Sequence, residues 1–272
     1  MAGLDLLYHT VVGRCCLKLL ASRPLSSVSG ALLDTRLSRV LIGPFIRRYG
    51  IDLSDYDLTD IRSFNQFFCR SLLDGRRPPS SDPDDLIAPC DGLLKVVPIE
   101  KDTILPVKQS AFTVTELLRS EKLARRYEGG TCLIFRLCVD HYHRYAYIES
   151  GDKSPDRFIR GRLHTVRPVA LVARPVFTEN CREYCLIRTA HTGTILQMEV
   201  GAMLVGRICN DQRGAAYVQR GEEKGHFEYG GSTVIVLLQK GCAQIDEKIT
   251  ASSAQGTETP VMMGERIGRS VL

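Results

Sequence analysis

The feature that most constrains this chain is a break near its end, in Gly225-His226-Phe227-Glu228-Tyr229-Gly230-Gly231-Ser232-Thr233-Val234-Ile235-Val236-Leu237-Leu238. Two apolar runs flank Gly-Gly-Ser-Thr, and adjacent glycines weaken strand pairing and pack nothing. Two explanations are open. Glycine permits a bulge or tight bend, because it adopts positive φ and lets backbones approach closely. Alternatively, a hydroxyl directly after a flexible Gly-Gly can attack the preceding carbonyl, provided that the peptide is strained and a base is near.

At 272 residues the chain has room for a sizeable core, and 44% hydrophobic with 25% charged residues is an ordinary globular balance. Ten cysteines without C-x-x-C spacing read as reduced, core-filling thiols, so neither a disulfide framework nor a metal site is expected. The positive charge is concentrated at one end. Of the 36 basic and 31 acidic residues, seven and two lie in 1–48, and the remaining 29 of each cancel.

Within that basic end, residues 3–22 set Leu4, Leu7, Val11, Cys15 and Leu19 at helical spacing against His9, Arg14 and Lys18. A second helical stretch, about 29–48, sets Leu33, Leu37, Val40, Leu41 and Phe45 against Arg36, Arg39, Arg47 and Arg48. No charge-free run reaches the roughly 20 residues that cross a bilayer. Basic amphipathic helices either lie in a membrane interface or pack on a partner, and both readings stay open.

Phe64, Phe67 and Phe68 form an aromatic stripe at helical spacing, suited to core packing, and the run GRRPPSSDPDD at 75–85 is turn chemistry. Beyond residue 86 short apolar or alternating runs recur at 93–97, 131–138, 145–148, 169–176, 184–187, 195–205 and 233–238. One helix is expected over about 113–127, with Thr115 as its N-cap. The expected class is α+β, with N-terminal amphipathic helices (1–48) ahead of a mainly antiparallel β barrel or sandwich (49–272).

Several residues carry chemistry. His141 and His143 close an apolar run and share one face if extended, so both can aim at one cleft as proton shuttles. Asp91, in Ala88-Pro89-Cys90-Asp91-Gly92, is a turn-former that could also orient a histidine. His226 is a local candidate base, but six residues along a strand put it about 20 Å from Ser232 unless the chain folds back.

Taken together, these segments resemble the phosphatidylserine decarboxylase proenzyme family. The residues that carry the resemblance are Ser63-Phe64-Asn65-Gln66-Phe67-Phe68-Cys69-Arg70, Ala88-Pro89-Cys90-Asp91-Gly92, Asp140-His141-Tyr142-His143-Arg144, Asn180-Cys181-Arg182-Glu183-Tyr184, Glu199-Val200-Gly201-Ala202-Met203-Leu204-Val205-Gly206 and Gly230-Gly231-Ser232-Thr233-Val234. The resemblance implies self-cleavage between Gly231 and Ser232, giving fragments 1–231 and 232–272. Ser232 would become a covalent pyruvoyl group, the only cofactor, with no metal.

That group would form a Schiff base with phosphatidylserine and release CO2, leaving phosphatidylethanolamine. The family pairs an aspartate with histidine, and Asp91 matches the aspartate. Many members carry a second histidine three residues after the first, where this chain has Ala146, so His143 or His141 must serve self-cleavage, decarboxylation or both. The expected partners are the lipid, a membrane surface met through residues 1–48, the two fragments of the chain itself and a second copy as a homodimer, with no nucleic acid. The expected location is peripheral, on the cytoplasmic face of a membrane. A pyruvoyl enzyme acting on a soluble amino acid, and a non-enzymatic membrane-surface module, are the competing readings.

Overall fold

The structure is a computed structural model, and it describes residues 30–100, 105–107, 110–161, 180–201, 207–228 and 232–271. The expected stretches 3–22 and 169–176, together with Gly230 and Gly231, lie outside the described residues.

The expected helix at 29–48 is divided. A 3-10 turn covers Arg36–Leu41 and α1 covers Ile42–Tyr49, with Thr35 extended ahead of them. Pro44 supplies a reason, because it has no N–H to bond the Val40 carbonyl and complete an α-helical turn there. After β1 (Tyr56–Asp57) comes α2 (Phe64–Phe68), capped by the Ser63 hydroxyl, which accepts from the Gln66 N–H. Phe45 of α1 packs edge-on against Phe64 at 5.1 Å, so the aromatic stripe does serve as core.

The chain continues through β2 (Ser71–Leu72), β3 (Asp85–Ile87), β4 (Gly92–Pro98), β5 (Leu105–Val107) and β6 (Ser110–Phe112). The helix expected over 113–127 is two: α3 (Val114–Leu118) and α4 (Glu121–Ala124), followed by a 3-10 turn. Thr113, rather than Thr115, caps α3 in a reciprocal box with Glu116. Arg119, at φ 50°, ends that helix in the left-handed region, and the Ser120 side chain starts the next.

The strands β7 (Thr131–Leu137), β8 (Arg144–Ala146), β9 (Gly151–Lys153), β10 (Arg157–Ile159), β11 (Arg182–Arg188), β12 (Thr194–Val200), β13 (Ile208–Asn210), β14 (Ala216–Val218), β15 (Glu223–Phe227) and β16 (Ser232–Leu238) follow. The chain then closes with β17 (Ala243–Ile245), α5 (Glu247–Ala254), β18 (Thr259–Val261) and β19 (Arg266–Ser270).

Nine strands form one sheet, in the order β14-β9-β11-β12-β16-β7-β4-β18 with β10 also paired to β11. All of its pairings are antiparallel. The sheet runs from edge to edge without closing, so the architecture is an α+β sandwich and not a barrel.

Every residue of β16 is buried, so the sheet is covered on both faces. Alternation sends Ile235 and Leu237 to one core, shared with Leu117, Leu118 and Tyr127 of the helical side. Val234, Val236 and Leu238 point to the other, shared with Tyr145, Ile208 and Phe227 of the small sheet β13-β15-β8 and with Leu86, Ile245 and Ile267 of the sheet β17-β19-β3.

The small sheet is fastened to the large one by charge. Lys224 of β15 pairs with Glu199 of β12 at 2.6 Å, both side chains fully buried. Asn210 of β13 and Tyr145 of β8 extend the network, through Tyr145 Oη to Asn210 Oδ1 at 2.9 Å and Asn210 Nδ2 to Glu199 Oε2 at 3.5 Å.

Removing one partner of such a pair strands the other charge in the core. Lys224→Met is therefore expected to destabilise the fold by about 3–5 kcal/mol, and Lys224→Met/Glu199→Leu to recover most of that loss. Urea unfolding of the two variants checks this, and a double variant no more stable than the single would refute it.

Candidate active site

Ser232 is the first residue of β16 and lies opposite Leu137 of β7. It shares a face with Val234, so its side chain points into the core between the large and small sheets. The residue is fully buried, and Ser232 Oγ has no hydrogen-bond partner among the described residues. Such an atom costs about 1–3 kcal/mol of unmet desolvation, which a purely structural serine would avoid.

His143 is carried by the other layer. Six residues connect Leu137 at the end of β7 to Arg144 at the start of β8, and they do not continue the strand, because the His141 N–H turns back to the Cys138 carbonyl at 3.0 Å. His141 and His143 are therefore held by a turn rather than a strand. Tyr145 points into the interlayer core, and the His143 carbonyl accepts from the Phe227 N–H at 2.9 Å, as the last rung joining this segment to β15.

The hydrogen bonds set the histidine tautomers. His143 Nδ1 meets the His141 carbonyl at 2.9 Å, and a carbonyl only accepts, so Nδ1 carries the proton. His143 Nε2 is then a bare lone pair, buried and without a partner among the described residues. Burial pushes the His143 pKa down to about 3, helped by the nearby charges of His141 and Arg70. The Phe68 ring lies 3.9 Å from the imidazole, centroid to centroid.

His141 is the converse case. Its Nδ1 accepts from the Cys138 N–H at 3.2 Å, which places the proton of the neutral ring on Nε2. Burial lowers its pKa, against the pull of Asp140 and Asp91. One imidazole thus offers an acceptor and the other a donor.

Asp91 sits just ahead of Gly92 in β4, and Leu93, Arg136, Thr233 and Val200 form one row across the sheet, so Asp91 and Ser232 lie at the same end. Its carboxylate is bound by Arg77 Nη1 at 2.5 and 2.6 Å and by the Met263 N–H at 2.9 Å. Its partners are thus a guanidinium and a backbone amide. Ala146, where a second histidine would stand, donates its N–H to the Pro89 carbonyl at 2.7 Å and so lies beside the Asp91 turn.

Gly231 lies outside the described residues. His226 belongs to β15, in a different sheet from Ser232, and lines a cleft of ≈ 320 Å³ with Asn65, Cys69, Arg70 and Arg144. Cys138, Asp140 and His141 bring ligand atoms within 4.8 Å of one another. The Arg136 guanidinium donates to Cys138 Sγ at 3.2 Å, which sets a positive charge where a metal ion would bind.

Sequence reasoning missed Arg77, which lies in a run read as turn chemistry, and Phe68, which was read as core alone. The signal for both was faint, since neither turn propensity nor helical spacing says which way a side chain points.

Residues 64–269 match the family described as phosphatidylserine decarboxylase. Over 268 residues the chain is 43% identical to phosphatidylserine decarboxylase proenzyme 2 of Clostridium acetobutylicum, covering 98% of this chain and 91% of that protein. It is 38% identical to the phosphatidylserine decarboxylase proenzyme of Ruminiclostridium cellulolyticum over 98% of this chain and 91% of that one. It is 40% identical to that of Desulfitobacterium hafniense over 98% and 88%.

The depressed His143 pKa makes a prediction about stability. With a folded value of about 3 against an ordinary 6.5, the unfolded chain binds the proton more readily between those limits. The contribution is complete above pH ~6.5 and is lost as the pH falls toward 3, by at most about 1.36 kcal/mol per pH unit. In a Ser232→Ala background, which keeps every sample a single chain, His143→Gln should flatten the pH dependence of the urea midpoint between pH 6 and 4. Equal slopes with and without His143 would contradict it.

Proposed function

The chain belongs to the phosphatidylserine decarboxylase family and is a carbon–carbon lyase, and from that premise we propose that it cuts itself at Gly231–Ser232 and decarboxylates phosphatidylserine. The observation that carries this reading is a pair of buried atoms without a hydrogen-bond partner among the described residues, Ser232 Oγ and His143 Nε2. A nucleophile and a base kept dry are what activation of a serine requires.

In self-cleavage, His143 Nε2 takes the Ser232 hydroxyl proton and Oγ attacks the Gly231 carbonyl carbon. The Gly231–Ser232 C–N bond breaks as its nitrogen gains a proton, leaving an ester and a free amine. Loss of the Ser232 Cα proton expels the Gly231 carboxylate from Cβ. Water then releases ammonia from the enamine, leaving a ketone at residue 232. Glycine at 231 suits this sequence, because no side chain shields the carbonyl under attack.

The described residues fit a pyruvoyl group at position 232, because the site is buried and its Oγ has no hydrogen-bond partner among them. Bound to the substrate amine, that carbonyl supplies an electron sink for the pair released as CO2 leaves. His141, with Nδ1 taken by the Cys138 N–H, holds the proton of its neutral ring at Nε2 and can donate a hydrogen bond from there. The surrounding aromatic and aliphatic side chains exclude the water that would quench the site.

The lipid substrate also gives the basic front end a role. Leu32, Leu37, Val40 and Leu41 are exposed, Leu37 at 82%, alongside exposed Arg36, Arg39 and Arg48. Among the described residues no helix is long and apolar enough to cross a membrane. Leucines set among cations suit reversible attachment to an anionic surface, and the reading assigns peripheral attachment at the cytoplasmic face.

Intact-mass measurement tests the first half of the proposal. The wild-type protein is expected as fragments 1–231 and 232–272, the second lacking a free amine, and Ser232→Ala as one uncut chain. Uncut wild-type protein that still decarboxylates would end the reading. For the second half, Leu37→Glu/Val40→Glu should lower binding to anionic liposomes about tenfold or more in a sedimentation assay, since each substitution removes apolar contact and adds a repelled charge. Unchanged binding would leave the exposed leucines without this role.

A further inference from the structure

Arg70 is a buried cation that makes no ion pair among the described residues. The residue is 3% exposed, yet its Nε and Nη2 have no hydrogen-bond partner among the described residues. Nη1 donates to the Phe67 carbonyl at 3.3 Å, the Tyr56 hydroxyl and the Asp91 carboxylate act on the charge from nearby, and the guanidinium lies over the Tyr56 ring at 4.1 Å and the Phe67 ring at 5.0 Å. Other buried cations nearby are matched. Lys224 has Glu199, Lys153 has Asp156, Arg77 has Asp91 and Arg136 has Glu258, while Arg182 is held by the Leu117, Asn180 and Glu116 carbonyls.

The position of this unmatched charge ties it to the site. Arg70 follows α2 by two residues, and the same helix lays Phe68 on the His143 ring. Its neighbour Cys69 is fixed to two strands of the small sheet, its carbonyl accepting from Arg144 Nε of β8 at 2.8 Å and its thiol donating to the Phe227 carbonyl of β15 at 3.3 Å. Arg70 also lines the ≈ 320 Å³ cleft with His226 and Arg144. A guanidinium presenting two free N–H groups is shaped to hold two oxygens of one anion.

We propose that Arg70 binds the phosphodiester of the lipid headgroup during decarboxylation, an inference that rests on the decarboxylase reading above. The substrate offers two anions, and the reaction separates them. Its carboxylate leaves as neutral CO2, so a clamp on that group would favour the ground state over the transition state. The phosphodiester charge is the same throughout, and holding it aligns the serine moiety without opposing the chemistry. Tyr56, with Arg70 on its ring and Arg77 bonded to its hydroxyl at 3.0 Å, links this anion site to the Asp91 pair.

Three proteins, wild type, Arg70→Gln and Arg70→Lys, and two substrates test it. The substrates are dispersed short-chain phosphatidylserine and O-ethylserine, which keeps the amine and carboxylate but lacks phosphate. Arg70→Gln should still self-cleave, by intact mass. Its KM for the lipid should rise about 10- to 100-fold, the worth of one or two charge-assisted hydrogen bonds, with kcat little changed. Arg70→Lys, which keeps the charge and loses the fork, should fall between and carries the test if Arg70→Gln fails to fold.

On O-ethylserine all three should have the same kcat/KM. An equal loss on both substrates, or an unchanged lipid KM, overturns the assignment. Wild-type protein that neither cuts itself nor acts on the lipid would instead remove the decarboxylase reading beneath it.

Discussion

The arrangement depends on the Lys224–Glu199 ion pair between the two sheets. Glu199 lies opposite Val234, two residues from Ser232, and Lys224 lies three residues before Phe227, whose N–H holds the His143 carbonyl. A buried pair of this kind is a poor source of net stability, because losing water from two charges offsets most of their attraction. What it contributes is register. An offset docking of the layers would leave two buried charges unmatched, so the layers meet in a single register.

With register secured, the core tolerates polar atoms that it does not satisfy. Ser232 Oγ and His143 Nε2 sit among side chains of near-zero exposure, and the dryness that costs stability also keeps the imidazole neutral. A base with so low a pKa has a weak thermodynamic pull on a hydroxyl proton, which in a turnover enzyme would limit the rate. On the proposed reading, self-cleavage happens once in the life of a chain. A poor base in an ordered, water-free geometry is enough for a reaction that need not be repeated.

How far the sequence could be read follows from the range of each interaction. The continuous apolar run of β16 and the turn signals after residue 86 are local, and each is legible from its neighbours. The aromatic stripe of α2 was legible as core, but Phe68 on His143 was not, since helical spacing does not say what stands opposite. The break at Arg119 was invisible, because a left-handed arginine is disfavoured and nothing nearby announces it. Arg70 and Arg77 were unreadable for a related reason: one lies buried and unmatched, the other reaches 14 residues along the chain to Asp91, and composition weights both as surface charge.

The departure at Ala146 finds its physical counterpart in that last contact. Ala146 docks on the turn bearing Asp91, so a histidine there would stand beside the carboxylate; the small side chain leaves the carboxylate to Arg77. Guanidinium does not give up its proton, so Arg77 cannot pass one to or from Asp91. On the proposed reading, proton movement then falls to the two imidazoles before β8, and their backbone partners distinguish them. The carbonyl of His141 forces the lone pair of His143 outward, while the amide of Cys138 forces the proton of His141 outward. Two histidines two residues apart are in this way made an acceptor and a donor, each set by a backbone partner rather than by a hydrogen-bonded carboxylate among the described residues.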